Sequence, residues 1–196
     1  MQNVESRPLF AVVCANNVNR STSAHTILSA AGLRVRSYGA GRRVTLPGRT
    51  CSEFRTFGFL TPYAAMYSSL KLEDDAFFSS NGVLALLERN MRIKKAPERW
   101  QSLSNKEILD INVIVCLDYV MFLTVLEDIQ MRIQLRFKVK QLHIICLDTV
   151  DTPEEAMTGG KRVLSLCHEL NVPLNELTED FVKSVVENEQ VRLEVH

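Results

Sequence analysis

The chain has 196 residues, of which 46% are hydrophobic and 23% are charged. This length and composition support one sizeable core, so we expect a single domain over residues 1–196. Basic and acidic residues both number 23, and this balance gives no bulk field that would favour nucleic acid or a membrane surface as a partner.

The N-terminus contains Glu5 and lacks the longer apolar stretch of a secretory signal, and no apolar run is long enough to span a bilayer. We therefore expect a soluble intracellular protein. The five cysteines are widely spaced and include no Cys-x-x-Cys pair. This spacing disfavours a disulfide framework and a structural zinc site, so we expect neither a metal nor a cofactor.

The chain begins with a predicted strand, helix and second strand. Residues 9–14, LFAVVC, form a continuous apolar run that is typical of a buried strand. Apolar residues at helical spacing then predict a helix from Arg20 to Gly32, where glycine suits the C-terminal stop. Residues 33–39, LRVRSYG, alternate in character, so the first elements are predicted to form a βαβ unit.

About seventy residues separate the second predicted strand from the third, far more than a crossover connection requires. We predict that residues from about 41 to about 108 form a cap insertion that binds substrate. Pro62 and Asn81 are predicted helix-start positions. The basic stretch at residues 89–100, RNMRIKKAPERW, is interpreted as a solvated helix end and loop rather than a nuclear-import signal or a phosphate contact.

Two more buried-strand patterns follow at residues 111–117, INVIVCL, and 140–147, KQLHIICL. Further helices are predicted at residues 118–133, 154–170 and 174–190. The Gly159-Gly160 pair weakens the second of these helical patterns. The alternation of strands and helices predicts an α/β fold, with three αβα layers around a mostly parallel, doubly wound sheet.

The sequence CANNVNRS at residues 14–21 joins the first predicted strand to the first helix. The backbone between Cys14 and Arg20 must curl, and N–H groups pointing inward at a helix N-terminus form an anion site. Arg20 adds a planar fork of donors that suits two phosphate oxygens. We therefore predict that Cys14–Arg20, called the phosphate loop below, binds a phosphate dianion. Its predicted phosphate-binding residues are Ala15, Asn16, Asn17, Val18, Asn19 and Arg20.

Cys14 is the predicted nucleophile, because the positive surroundings of the loop stabilise a thiolate. Ser21 is placed to hydrogen-bond the sulfur and to help it leave when a phosphocysteine is hydrolysed. The three asparagines of the loop suit a tight, partly left-handed backbone and brace it through their side-chain amides. None of the other four cysteines has an arginine six residues further along the chain.

Phosphocysteine chemistry also requires an acid to protonate the departing oxygen. Asp148 and Asp151 follow the last buried-strand pattern, and the carboxyl ends of parallel strands meet at one edge of a sheet. Asp118, after the third strand, is a competitor. Asp148 could instead form a turn and Asp151 could cap a helix, so the residues alone leave the choice open. His25 is interpreted as a packed helix residue rather than a base.

The CxxxxxRS motif at this junction, with a late aspartate loop, is similar to that of low-molecular-weight protein tyrosine phosphatases, which lack a large insertion at this place. The surrounding segments resemble the Ssu72 family from about Leu9 to about Gly160. These segments are, in order, CANNVNRSTSAH, LRVRSYGAG, LPG, EFRTF, MYSSL, NGVLALLERNMRIKKAPERW and LDTVDTPEEA.

The resemblance implies a phosphatase in which Cys14 is the nucleophile, Arg20 the phosphate clamp, Asp151 the general acid and Asp148 a supporting carboxylate. The implied substrate is phosphoserine at the fifth heptad position of the RNA polymerase II C-terminal repeat, followed by cis-proline. The predicted substrate-binding residues are Thr45, Leu46, Pro47, Phe78 and Leu86.

The resemblance also implies partners and a location. The expected partners are the phosphorylated repeat, the scaffold protein symplekin and other pre-mRNA 3′-end processing factors. A prolyl isomerase is an expected helper, because cis-proline is a minor conformer of a free peptide. The expected location is the nucleus, without direct nucleic-acid or membrane contact.

Several positions depart from the family pattern. Thr22 and Ser23 stand where Met-Glu is usual, Thr45 replaces a basic residue, and Phe78 replaces a tyrosine. These changes motivate an alternative, a scaffold that binds the phosphorylated repeat or symplekin with weak turnover or none.

A third hypothesis is a thiol-coupled arsenate reductase on the same fold. That chemistry requires resolving cysteines close to a mobile segment. Cys116, Cys146 and Cys167 instead belong to apolar patterns that predict burial. The phosphatase is therefore favoured over the reductase.

Overall fold

The computed structural model describes residues 7–50, 52–135, 137, 141–188 and 192–195. The strands are β1 (Phe10–Cys14), β2 (Val35–Gly39), β3 (Val44–Pro47), β4 (Phe54–Phe57), β5 (Val113–Cys116), β6 (His143–Cys146) and β7 (Arg192–Val195). The α-helices are α1 (Arg20–Ala30), α2 (Tyr63–Ser80), α3 (Val83–Met91), α4 (Asn105–Asp110), α5 (Tyr119–Gln134), α6 (Pro153–Glu169) and α7 (Glu179–Asn188). Of the positions discussed above, Glu5, Cys51, residue 140 and residues 189–190 lie outside the described residues.

The central sheet has the strand order β2-β1-β5-β6-β7. The first four strands are parallel, and β7 is antiparallel to β6. The chain leaves β1 towards β2 on one side and later places β5 on the other side, so the order of strands reverses between β1 and β5. Ligands of open α/β sheets bind at such a switch point, outside the carboxyl ends of the strands.

Helices cover both faces of the sheet, which confirms the predicted three-layer α/β fold. On one face, strand residues such as Val12 and Val115 pack against α1, α6 and α7. On the other face, residues such as Val13 and Ile114 pack against α4, α5 and the 3-10 turn at Trp100. All four of these strand side chains are fully buried. Alternate residues of each strand thus feed two separate cores, as the continuous apolar runs predicted.

A third apolar cluster lies in the region between β2 and β5. There β3 and β4 form an antiparallel hairpin, and α2 and α3 pack beside it. The cluster includes Val18 of the phosphate loop, so this region packs directly against that loop. Within α2, Asp74 adopts a non-helical backbone conformation and interrupts the helix.

Several element boundaries differ from those predicted. The last helix begins at Glu179 rather than near 174, because the Thr178 hydroxyl accepts a hydrogen bond from the Phe181 N–H at 3.2 Å and so caps the helix there. Asn81 does not itself begin α3, but its Oδ1 accepts from the N–H of Val83, the first helical residue. Strands β3, β4 and β7 were not predicted.

Within the described parts of the chain, none of the helices combines the length and apolar character that a bilayer span requires.

The Gly159-Gly160 pair does not interrupt α6, contrary to the weakening expected from the sequence. Both glycines are buried at close contacts. A Cβ atom at Gly160 would lie 2.7 Å from the tip of Ile27 on α1, and one at Gly159 would lie 2.4 to 3.1 Å from three side-chain atoms of Thr149. The glycines therefore permit α6 to approach α1 and the loop that follows β6.

The two glycines form a matched pair for a stability test. Alanine gains about 1 kcal/mol of helix propensity over glycine at either position. Gly160→Ala is expected to keep or raise the free energy of unfolding, because the flexible tip of Ile27 can move. Gly159→Ala is expected to lower it by roughly 1 to 2 kcal/mol, because overpacking against the stiff Thr149 side chain exceeds the propensity gain. Urea denaturation measures both, and equal values for the two variants would contradict this assignment.

Candidate active site

Cys14 is the last residue of β1, at the sheet edge where the strand order reverses, and it is 2% exposed. Its Sγ accepts a hydrogen bond from the Asn17 N–H at 3.3 Å and lies 3.1 Å from Ser21 Oγ. The phosphate loop therefore curls around the sulfur instead of continuing the strand. Asn17 lies in the left-handed region with φ 54°, as expected of a tight loop containing asparagine.

The segment after β2 fixes the outer edge of this loop. The Ala40 N–H donates to the Cys14 carbonyl at 2.9 Å, and the Gly41 N–H donates to the Ala15 carbonyl at 3.0 Å. A Cβ atom at Gly41 would lie 2.8 Å from that same Ala15 oxygen, so the close approach requires glycine. Gly41 was not a predicted site residue, although its place after a buried strand could have suggested one.

The asparagine side chains tie the phosphate loop to three other segments. Asn16 exchanges two hydrogen bonds, of 2.9 and 3.0 Å, with the backbone of Thr45 in β3. Asn17 donates to Ser21 Oγ at 3.0 Å and accepts from the Glu98 N–H at 3.2 Å. Asn19 Nδ2 donates to Asp151 Oδ1 at 2.9 Å. These contacts correspond to the bracing expected of the amides.

Arg20, 7% exposed, turns inward at the start of α1. Its Nη1 donates to the carbonyls of Leu117 and Thr149 at 3.2 and 2.9 Å. Its Nη2 lies 3.0 Å from Asp118 Oδ2 and 3.4 Å from Asp151 Oδ2. The buried Nε has no hydrogen-bond partner among the described residues. The loops after β5 and β6 thus orient the guanidinium beside the phosphate loop.

The three candidate aspartates occupy different positions. Asp118 caps α5 by accepting from the Met121 N–H at 2.8 Å, and its other oxygen pairs with Arg20. Asp151 contacts Arg20 and lines the same cavity as Cys14, with a side chain that is 44% exposed. Asp148 is exposed and does not line that cavity. Asp151 is therefore the candidate that shares the cavity with the sulfur, and Thr152, not Asp151, caps α6.

The basic stretch at residues 89–100 requires a correction, because it is not merely a solvated helix end and loop. Arg89 and Asn90, at the end of α3, donate to the Val18 carbonyl at 3.0 and 2.7 Å. Lys94 pairs with Glu98 and donates to the Ser37 carbonyl. Burial lowers the pKa of both Arg89 and Lys94. This stretch braces the phosphate loop from outside, which the sequence prediction missed.

Tyr63, at the start of α2, adds a further brace that was not predicted. It is fully buried, and its hydroxyl donates to the Asn17 carbonyl at 2.5 Å. Burial raises the pKa of the Tyr63 phenol, and the nearby charge of Cys14 adds to the rise. The phenol therefore stays protonated and serves as a donor.

A cavity of about 340 Å³ opens over the phosphate loop. It is lined by Cys14, Asn16, Val18, Asn19, Thr45, Leu46, Pro47, Phe54, Asn81, Val83, Leu86, Asp151 and Pro153. Four of the five predicted substrate-binding residues therefore line it. The fifth, Phe78, does not: it is 1% exposed and packs against Phe77 in the third apolar cluster. The structure thus places Phe78 in the packing of the third apolar cluster, contrary to its prediction as a substrate contact.

His25 lies beside a different cavity, of about 500 Å³, and does not line the one that contains Cys14. Its Nδ1 is 3.0 Å from Ser37 Oγ. Burial, and secondarily the charge of Lys94, lowers the pKa of His25 to about 4. His25 is thus a neutral, hydrogen-bonded helix residue near neutral pH.

The other described cysteines have surroundings unlike those of Cys14. Cys116, Cys146 and Cys167 are all buried, and burial raises the pKa of Cys116 and Cys167. Neither Cys116 nor Cys167 is thereby suited to act as a resolving thiolate. The described residues contain no cluster of three side chains that could hold a metal ion.

Comparisons with known proteins agree with this geometry. The family described as Ssu72-like protein matches residues 8–195. A protein of Danio rerio, named as the SSU72 phosphatase of the RNA polymerase II C-terminal domain, is 39% identical over 177 residues, which cover 87% of this chain and 88% of that protein.

Two solved structures from Drosophila melanogaster are similar over nearly the whole chain. The first, the serine phosphatase of RNA polymerase II CTD of the SSU72 superfamily, has a TM-score of 0.85 and 29% identity, covering 96% of this chain and 98% of that one. The second is Ssu72 with symplekin, bound to a cis peptidomimetic CTD peptide that is phosphorylated at the serine of position five. It has a TM-score of 0.84 and 28% identity, covering 97% and 98%. With its family match from residue 8 to residue 195, the chain belongs to the Ssu72 family.

Proposed function

We propose that this protein is a cysteine-dependent phosphatase that removes phosphate from phosphoserine through a phosphocysteine intermediate. One observation carries the proposal. The Cys14 sulfur lies within a curled loop, in contact with the Asn17 N–H and Ser21 Oγ, and faces a cavity that also contains Asp151. A thiolate held by N–H donors at a helix N-terminus, beside an arginine, is the arrangement that nucleophilic attack on phosphorus requires.

In the first step, Cys14 Sγ attacks phosphorus and the bond from phosphorus to the serine oxygen breaks. Asp151, in its acid form, donates a proton to that oxygen, so the peptide leaves as an alcohol. Arg20 and the loop N–H groups stabilise the negative charge on the equatorial phosphoryl oxygens. When the substrate binds, its phosphate dianion must replace the Asp118 and Asp151 carboxylates as the hydrogen-bond acceptor of the Arg20 guanidinium.

In the second step, water attacks the phosphocysteine and the bond from sulfur to phosphorus breaks, releasing inorganic phosphate. The Asp151 carboxylate accepts a proton from the water. The Ser21 hydroxyl, 3.1 Å from Cys14 Sγ, donates to the departing thiolate and stabilises it. Asp148 is assigned a supporting role in the same loop, through charge rather than contact, because it lies outside the cavity.

We infer that the substrate is phosphoserine at the fifth position of the RNA polymerase II C-terminal repeat, followed by cis-proline. The Danio rerio relative is named a phosphatase of that C-terminal domain, and one Drosophila structure holds a cis peptidomimetic of it, phosphorylated at the fifth-position serine. The apolar lining of the cavity, including Leu46, Pro47 and Leu86, suits a proline ring beside the phosphate. Residues 41–108 would then serve as the cap insertion of a single phosphatase domain.

We further propose that symplekin is a partner and that the protein acts in the nucleus during pre-mRNA 3′-end processing. The Drosophila structure contains Ssu72 together with symplekin, which supports the partner. The nuclear location follows from the proposed substrate, because transcribing RNA polymerase II is nuclear.

Turnover of singly phosphorylated repeat peptides tests the substrate assignment. With excess enzyme, a peptide phosphorylated at the fifth position should show a fast phase of about 10–30% of the phosphate, the cis fraction of a free peptide, and then a phase of tens to hundreds of seconds. A prolyl isomerase should remove the slow phase, because it replenishes the cis form. Peptides phosphorylated at other positions provide the control.

The same experiment separates the enzyme from the scaffold alternative. Measurable turnover of the phosphoserine-proline peptide excludes a scaffold without catalysis. Binding of the peptide without phosphate release would instead favour the scaffold, and a single fast phase that consumes all of the substrate would contradict the requirement for cis-proline.

A further inference from the structure

We propose that Arg89 is a positioning residue that supplies the counter-charge of the Cys14 thiolate from the outer side of the phosphate loop. The inference rests on the proposed function, because it concerns the nucleophile of that reaction. It assigns to α3 a role distinct from substrate binding, since Arg89 does not line the cavity that contains Cys14.

The Arg89 guanidinium is fixed by neutral acceptors of the phosphate loop and its helix. Its Nη2 donates to the carbonyls of Val18 and Asn19 at 3.0 and 3.3 Å and to Thr22 Oγ1 at 2.6 Å. Its Nε and Nη2 also contact Asn90 Oδ1 at 3.2 and 3.1 Å. These bonds hold the carbonyls outward, and a loop whose carbonyls face outward is free to direct its N–H groups towards the sulfur and the anion.

Thr22 connects Arg89 to α1. Its side chain is fully buried, and its hydroxyl donates to the Val18 carbonyl at 2.6 Å while accepting from Arg89. The guanidinium therefore lies in a cluster of hydrogen bonds that involves both the loop and the first turn of the helix. These hydrogen bonds fix the guanidinium against the outer side of the phosphate loop.

The charges around the phosphate loop are unequally compensated. Arg20 is paired with Asp118 and Asp151, and Lys94 is paired with Glu98 at 2.6 Å. Within the described part of the chain, Arg89 makes no ion pair, and its acceptors are neutral carbonyl, amide and hydroxyl oxygens. Its positive charge therefore remains available to a thiolate at Cys14.

The elements that pack around the Cys14 sulfur carry several other titratable groups. They are Arg20 on α1, Tyr63 on α2, Arg89 on α3, Lys94 and Glu98 after α3, and Asp118 and Asp151 ahead of α5 and α6. Tyr63 is neutral, and Arg20 and Lys94 each have a carboxylate partner, although the charge of Cys14 also acts to raise the pKa of Lys94. Burial lowers the pKa of Arg89, and the charges of an ionised Tyr63 and, second, of Cys14 oppose that fall; because the Tyr63 phenol stays protonated, Cys14 is the opposing charge near neutral pH. A guanidinium that is hydrogen-bonded to the loop enclosing the sulfur attracts a negative charge at Cys14 Sγ.

The test is the pH dependence of Cys14 alkylation by iodoacetamide, followed at the Cys14 peptide by mass spectrometry. Arg89→Met removes the charge and the hydrogen bonds of the guanidinium while filling a similar volume. We expect the pH of half-maximal alkylation to rise by about one unit, and kcat/KM for an aryl phosphate below that pH to fall about tenfold. Arg89→Lys, which keeps the charge, should stay close to the parent protein in alkylation. Arg92→Met, at an 80% exposed side chain just after α3, is the matched control and should change neither quantity.

An unchanged alkylation midpoint in Arg89→Met would overturn the proposal, as would equal shifts in Arg89→Met and Arg89→Lys, which would indicate packing rather than charge. If circular dichroism shows that Arg89→Met does not fold, Arg89→Gln replaces it with the same expected shift. Alkylation does not require turnover. A parent protein that fails to hydrolyse phosphopeptides would therefore refute the proposed function, while the alkylation midpoints would still decide the role of Arg89.

Discussion

Cys14→Ser is expected to lower turnover of both a phosphoserine peptide and an aryl phosphate by a factor on the order of 10⁵ to 10⁶, the scale of loss when a covalent nucleophile is removed. A serine hydroxyl is a weak nucleophile unless a base activates it. None of the described histidines lines the cavity at Cys14, and Asp151, which does line it, serves as the acid of the first step, so no base is assigned to activate a serine there. The smaller oxygen should leave the phosphate loop intact, because the carbonyls of the loop are held by donors from outside it. Initial rates of phosphate release measure the effect.

Phosphopeptide binding by Cys14→Ser should persist, because Arg20 and the loop N–H groups remain. Loss of turnover with retained binding and an unchanged thermal melt would separate a chemical defect from unfolding. Cys167→Ala is the control, since Cys167 is a buried thiol in α6 that lacks an arginine six residues on. Turnover by Cys14→Ser at the parental rate would refute the phosphocysteine mechanism.

The elements that the sequence predicted well are those whose own residues form a recognisable pattern. The run LFAVVC is apolar throughout because both faces of β1 are covered, and the same reason applies to β5 and β6. The phosphate loop was recognisable because a cysteine, asparagines and an arginine coincide at a strand-to-helix junction. The structure then brings Cys14, Arg20 and Asp151 to one edge of the sheet, although Asp151 is separated from Asn19, its partner, by 132 residues along the chain.

The elements that were missed depend on contacts between distant segments. The β3–β4 hairpin lacks a strong alternation and is fixed partly by the bonds of Thr45 to Asn16. Arg89 and Asn90 belong to a basic stretch of the kind that is usually exposed to solvent. Their hydrogen-bond acceptor lies about seventy positions earlier in the chain, and no local sequence pattern indicates it. Phe78 lies on α2 and packs into the third apolar cluster instead of lining the cavity that contains Cys14. In each case a tertiary contact, not local propensity, decided the role.

Asp151→Asn is expected to reduce turnover of the phosphoserine peptide by a factor of about 10² to 10⁴, the usual contribution of a general acid. The loss on an aryl phosphate should be much smaller. A serine alkoxide is about as basic as hydroxide, whose conjugate acid water has a pKa of about 15.7, whereas a phenol has a pKa of about 10 and needs less help from an acid to leave. The ratio of the two losses therefore reports proton donation rather than a general disturbance of the site. Initial rates on the two substrates supply that ratio.

Two further variants decide among the carboxylates. Asp118 contacts the same Arg20 nitrogen as Asp151 but also caps α5. Asp118→Asn should therefore lower the turnover of both substrates by a similar factor, because it disturbs Arg20 and the start of α5. Asp148→Asn should give a small effect without dependence on the leaving group, because Asp148 lies outside the cavity. A leaving-group effect in Asp118→Asn and none in Asp151→Asn would transfer the acid role to Asp118. If Asp151 is the acid, its position at 44% exposure allows it to leave Arg20 as the phosphate arrives, so that one side chain serves both the resting ion pair and proton transfer.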